Sequence, residues 1–168
     1  MGLRAPAALL LLLLAGCGAP LTQPELERPE PRFDPVAFFS GTSHGEGRLK
    51  LVLSPSRTVR VDSAGRFTDG TLVLDQTIRR EGHRIQRRSW RLRETAPGHW
   101  QGSLTEASGP VTADVSGNAL HIRYAMKGGL HAEQWLYLAA DGRSAANRLG
   151  IRFGPVRLAT IEERIEKR

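Results

Sequence analysis

The chain has 168 residues, a formal net charge of +7 and a single cysteine. That length fits one domain able to bury its own core. With one thiol, neither a disulfide framework nor a cysteine zinc site can be built in any redox compartment.

Arg4 opens the chain with positive charge, and Ala7 to Leu14 form an apolar stretch of signal-peptide length, too short to span a bilayer as a helix. Leu14, Ala15 and Gly16 then lead into Cys17 as a bacterial lipobox, the arrangement a lipoprotein signal peptidase needs ahead of a diacylglyceryl-modified thiol. Residues 1–16 therefore read as a leader and Cys17 as the acylated first residue of the mature chain, its sulfur held in a thioether. Removing Arg4 takes the balance from +7 to +6. Each buried methylene of the lipid contributes about 0.8 kcal/mol, so two or three acyl chains hold the protein at a membrane. Gly18 stands where aspartate would retain the protein at the inner membrane, which directs the expectation to the outer membrane. A basic, exported, anchored protein meets phosphate as phospholipid or lipopolysaccharide, so nucleic acid is not an expected partner.

Residues 17–37 carry Pro20, Pro24, Pro29, Pro31 and Pro35 among Glu25, Glu27, Arg28, Glu30 and Arg32. Fixed proline torsions and missing amide donors predict a stiff, solvated tether. Phe38 and Phe39 mark the start of a folded domain over 38–168.

From Gly47 the pattern has a period of two, punctuated by turn residues. Leu49, Leu51 and Leu53 share one face, then Val59 and Val61, then Leu72, Leu74 and Ile78. Trp90 and Leu92 oppose Arg87, Ser89, Arg91 and Arg93, and a one-residue slip would bury arginines. Trp100, Gly102 and Leu104 follow, then Val111, Ala113 and Val115, then Leu120, Ile122, Tyr124 and Met126. Leu136 and Leu138 oppose Trp135 and Tyr137, an apolar pair of faces; Leu149, Ile151 and Phe153 precede Gly154, Pro155, Val156 and Leu158. The last residues, Ala159 to Arg168, read as a short helical tail because Ile161 and Ile165 stand four apart.

Nine or ten short antiparallel strands in consecutive hairpins predict an all-β fold, a single up-and-down, lipocalin-like barrel, since closure removes exposed edges. The segments are too short and too charged for a transmembrane barrel.

Trp90, Arg91 and Leu92, the Gly117, Asn118, Ala119, Leu120 turn with Tyr124 downstream, Trp135 to Leu138, Asn147, and Phe153 with Gly154 resemble a family of bacterial lipoproteins known as domain of unknown function three-eight-three-three. The resemblance runs from about Phe38 to Leu158. It implies a lipocalin-like barrel, an envelope location and, from the acyl-modifying enzymes its members are encoded beside, lipid handling. Relatives tend to carry an acid where this chain has Gln134.

No catalytic constellation emerges, and the chain reads as a binding protein, not an enzyme. His44, His83, His99, His121 and His131 lack metal-ligand spacing, and no Gly-x-Ser-x-Gly elbow presents a serine. Asp75 with Glu81, and His131 with Glu133, need a shared cleft to do acid and base work. No cofactor is called for. Arg79, Arg80, His83, Arg84, Arg87, Arg88, Arg91 and Arg93 crowd one hairpin. Within it Arg84, Arg87 and Arg91 are candidates for anionic head-group contact, against the plainer reading of a solvated face. Trp90, Trp100, Tyr124 and Trp135 are core residues or the walls of a pocket for a fatty acid or other lipid. Two readings follow: an anchored barrel that carries such a ligand, and a self-filled barrel that serves as an envelope scaffold or partner-binding module. The volume of the interior separates them.

Overall fold

Alternation of apolar and polar residues is realised as ten antiparallel strands closed into one barrel. They are β1 (Gly41–Leu51), β2 (Arg57–Thr68), β3 (Thr71–Arg80), β4 (Gln86–Ala96), β5 (His99–Leu104), β6 (Val111–Ser116), β7 (Ala119–Met126), β8 (Leu130–Leu138), β9 (Ser144–Phe153) and β10 (Val156–Lys167). The computed structural model describes residues 20–168; the leader, the lipobox and Cys17 lie outside the described residues. Each strand pairs with its neighbours in sequence, and β1 closes on β10, from Ser43 opposite Lys167 to Leu51 opposite Ala159. Asp69 and Gly70 join β2 to β3 with φ of 49° and 71°, the paired positive torsions of the tight hairpin that suits twisted strands.

The inner face carries the core. Leu72 and Leu74, Trp90 and Leu92, Trp100 and Leu104, Leu120 and Ile122, and Leu136 and Leu138 are buried in one cluster, with Val59, Val61 and Ile78 in a smaller one. Outward positions bear ion pairs, such as Asp62 with Arg79, Arg66 with Asp75, and Asp114 with Arg123. That charged girdle is not one a lipid-facing barrel tolerates. Among the described residues, no helix is long and apolar enough to cross a membrane.

Two expectations are corrected. The C-terminal stretch is not a helix: Ala159, Ile161, Glu163 and Ile165 alternate with Thr160, Glu162, Arg164 and Glu166 along β10, which pairs on both sides. A spacing of four satisfies both periods, and the unpaired edges of β1 and β9 decide between them.

The proline-rich stretch is not a solvated spacer from Pro20 onward. Pro20 O accepts from Arg148 Nη1 (2.9 Å), Leu21 is buried against Gly150, and Gln23 N donates to Tyr137 Oη (3.0 Å) on the outer wall of β8 and β9. Arg28 N then donates to Asn118 Oδ1 (2.8 Å), and Phe33 N to Gly117 O (2.8 Å), at the β6–β7 turn. A short helix, α1 (Pro35–Phe39), capped by Asp34, follows. Phe33 and Phe38, both buried, pack with Phe39 in tilted and edge-on pairs at centroid distances of 5.0–6.1 Å and plug that end of the barrel. Proline removes donors without preventing order, because the other backbone groups find partners on the barrel. This strap also explains the second apolar face of β8, since it covers Tyr137.

The two ends therefore differ. The plugged end holds the turns at 69–70, 97–98, 117–118 and 141–142; the opposite end holds those at 52–56, 81–85, 105–110, 127–129 and 154–155.

Candidate functional site

Period two along β4 divides the arginine-rich hairpin. Arg87 and Arg91 point outward and are exposed, and Arg84 is exposed in the β3–β4 turn, whereas Arg88 shares the inward face of Trp90 and Leu92. Inside the barrel Arg88 meets other polar side chains that together form a belt between the two apolar clusters. Gln76 Oε1 accepts from both Arg88 Nε (2.7 Å) and Trp90 Nε1 (2.8 Å), while Gln76 Nε2 donates to Ser63 Oγ (2.9 Å). The guanidinium lies 5.4 Å from the Trp90 ring centre, a cation–π contact, and Tyr124 meets the same ring edge-on at 5.7 Å. Toward the unplugged end Arg80 Nη2 donates to Gln86 Oε1 (3.2 Å), and Gln86 Nε2 to Glu106 Oε1 (2.8 Å).

Glu163 enters the belt from β10. Its position opposite Gly47, and close to Gly45, gives its carboxyl the space that two missing side chains leave on β1. Asn147 Nδ2 donates to Glu163 Oε2 at 2.8 Å. Burial raises the Glu163 pKa; the Asn147 donor and the charges of Arg88 and His44 oppose the rise without cancelling it. Burial likewise raises the pKa of Tyr124.

Three buried acceptors, Gln134 Oε1, Asn147 Oδ1 and Glu163 Oε1, have no protein partner. Gln134 and Glu163 border a void of about 40 Å³ that Gln76 and Arg88 also line, walled on its apolar side by Phe39, Leu72, Ile122, Leu136 and Ile165. That volume suits water, whereas small-molecule pockets hold about 300–1,000 Å³. With the plug seated, the interior is filled. A larger open groove, about 780 Å³, lies outside the plug between Phe33, Val36, Phe67, Arg93, Glu94 and Trp100.

Of the four aromatics expected to wall a pocket, Trp90, Trp100 and Tyr124 are buried on the inner face. Trp135 is corrected: it stands on the outer face of β8, stacked on His121 at 3.8 Å. Both faces of β8 are apolar, so periodicity alone does not say which one turns inward. His121 Nε2 lies 2.9 Å from Glu133 Oε1, and burial, ahead of that contact, lowers the imidazole pKa. Three other histidines sit in local pairs: His44 with Asp62 (2.8 Å), His99 with Asp114 (2.7 Å) and His83 accepting from Arg57 (2.6 Å). Among the described residues no three histidine, cysteine or carboxylate side chains converge as a metal site would require. Sequence reasoning missed Arg88 as an interior group, although strict alternation from Trp90 identifies it, and missed Glu163, hidden by the helical reading of β10.

Closed antiparallel strands, an inward polar belt and an end plug define a lipocalin-like barrel. Within that class the chain belongs to DUF3833, a protein family of unknown function whose model matches residues 11–162. Two solved structures share the fold. The S-type phycobiliprotein lyase CPES from Guillardia theta superposes with a TM-score of 0.59 at 6% identity, covering 77% of this chain and 88% of that one. A protein of unknown function from the DUF3598 family of Nostoc punctiforme gives a TM-score of 0.54 at 12% identity, covering 87% of this chain and 52% of that one. This chain thus spans about half the length of the second protein. No curated protein sequence matches significantly.

Proposed function

We propose that this chain is a bacterial envelope lipoprotein, acylated at Cys17 and held at the outer membrane facing the periplasm, whose barrel binds an amphiphilic small molecule, an acyl chain with a polar head. The observation that carries the ligand is the belt: a half-buried arginine on the inner face and three buried acceptors without a protein donor, set in an apolar wall. Burying an ion costs several kcal/mol unless it is well paired, so a barrel that needed only filling would favour leucine there. A head group with both donor and acceptor atoms, such as a carboxylic acid or an alcohol, answers Arg88 on one side and Gln134, Asn147 and Glu163 on the other. Trp90, Trp100 and Tyr124 then wall the apolar body. Binding requires Phe38 and Phe39 to withdraw, and they belong to the strap and α1, so no strand pairing of the barrel breaks when they do.

Two other readings each rest on one observation. The void of about 40 Å³ favours a self-filled envelope scaffold. The Glu163 carboxyl, enclosed within the field of Arg88, favours a reaction at the same belt, and the phycobiliprotein lyase is named for one.

The test is mass spectrometry of protein gently extracted from its own membranes, comparing the wild type with Arg88→Gln and Arg87→Gln. A co-purifying lipid that Arg88→Gln loses and Arg87→Gln keeps supports the ligand; no lipid under several extraction conditions favours the scaffold. Cys17→Ser tests the anchor separately, and unchanged envelope fractionation of that variant contradicts acylation.

A further inference from the structure

Large exposed apolar side chains are not scattered over this barrel. Among the described residues they are Leu51, Val52, Leu53, Ile85, Phe153, Val156, Leu158 and Phe67, and all but Phe67 lie at the end opposite the plug. Leu53 is fully exposed at the tip of the β1–β2 turn, held there with φ of 60°. The β9–β10 hairpin beside it carries Phe153, Val156 and Leu158, and Val52 N donates to Leu158 O at 3.0 Å, so the two turns form one ledge. Isolated exposed apolar residues need no explanation; a contiguous ledge on two adjacent hairpin tips does.

Charge follows the same geography. Among the described residues, the turns of that end and the strand residues flanking them hold Lys50, Arg57, Arg80, Arg84, Lys127, Arg152 and Arg157, with only Glu81 and the half-buried Glu106 as acids. At the plugged end acids and bases alternate, with Asp34, Asp69, Glu94, Asp141 and Glu166 among the acids. Apolar tips ringed by cations match a surface that is anionic outside and apolar beneath.

The start of the strap sets the direction. Pro20 and Leu21 lie against Arg148 and Gly150, and Gly150 is three residues from the Phe153 tip of β9. Three strand residues span roughly 10 Å, and the three residues back to Cys17 reach a similar distance.

We propose that this apolar, basic rim seats in an anionic phospholipid surface, with the acyl chains of Cys17 entering the same leaflet beside it and the plugged end facing the aqueous phase. The orientation rests on the acylation of Cys17 proposed above; the rim itself does not. Two or three acyl chains on Cys17 would already hold the protein at the membrane, so the rim's role is to set how the barrel sits on it.

The experiment uses full-chain protein purified from membranes and placed in vesicles of phosphatidylcholine and phosphatidylglycerol carrying nitroxide-labelled lipid. Leu53→Cys at the rim and Ala140→Cys at the plugged end are each labelled with a fluorophore; an acylated Cys17 takes no label, and a doubly labelled product reveals a failed anchor independently of the rim. We expect lipid quenching at position 53 at least about threefold that at 140, diminished when Phe153 and Val156 are also changed to serine. Equal quenching at the two positions, or stronger quenching at 140, overturns the proposal. So does a position 53 that is shielded from water but unquenched in a protein that sizes as a dimer, which assigns the rim to a second copy of the chain.

Discussion

Glu163 occupies the volume that Gly45 and Gly47 leave empty: a Cβ on Gly45 would coincide with the Glu163 carboxylate, and one on Gly47 with the backbone of β10. Gly45→Ala therefore forces the carboxyl out of its niche, and overpacking of this kind costs about 1–3 kcal/mol. In the double variant with Glu163→Ala the penalty should shrink, a coupling that urea denaturation of the four proteins measures. Strict additivity contradicts the arrangement.

The same carboxyl gives stability a pH dependence of known sign. Its pKa is raised by folding above the ordinary value of 4.5, so the folded protein holds the proton that the unfolded chain has released. This contribution is fully present below 4.5 and is lost as pH climbs through the raised value. Glu163→Gln keeps an acceptor for Asn147 and removes the titration. Thermal melts between about pH 4 and 8 should show the variant gaining on the wild type as pH rises; parallel curves exclude a buried ionising Glu163.

Asn118 pins the strap. Its Oδ1 accepts from Arg28 N, and its Nδ2 donates to Leu26 O (3.0 Å) and Leu138 O (2.8 Å). Asn118→Ala leaves those backbone groups without partners, at about 1–3 kcal/mol for each that stays buried. Hydrogen exchange should accelerate over residues 23–33 while the centres of β7 and β8 keep their protection. Uniform acceleration shows that the strap and barrel unfold as one.

The exposed arginines make a separate prediction. Changing Arg84, Arg87 and Arg91 together to glutamine should weaken binding to anionic vesicles by about 1 kcal/mol for each cation near the surface, an effect that salt diminishes. A sedimentation assay at two ionic strengths checks it, and unchanged binding leaves these residues as a solvated face.

Where one face of a strand is apolar and the other polar, the sequence alone reveals which way side chains point; Leu120, Ile122 and Tyr124 and the hairpin at Asp69 and Gly70 are of this kind. The reading fails where both faces are apolar, as at Trp135, or where an inward position is charged, as at Arg88 and Glu163. Arg88 and Glu163 belong to the belt, because an interior built to meet a polar group departs from the alternation that announces an interior. The strap was illegible for another reason. Its partners Gly117, Asn118, Tyr137 and Gly150 lie more than about eighty residues away, and nothing local in a run of prolines records them.

The strap runs the length of the barrel, from a start near the rim at Gly150 to the phenylalanines at the far mouth. Were Cys17 fixed in a leaflet, as proposed above, the strap would act as a drawstring. Force between the leaflet and the barrel loads the contacts of Pro20 and Gln23 first, then Asn118, and reaches the stopper last. Under the proposed anchor, tension drawn from the leaflet would reach the opposite pole only after every earlier contact of the strap has given way.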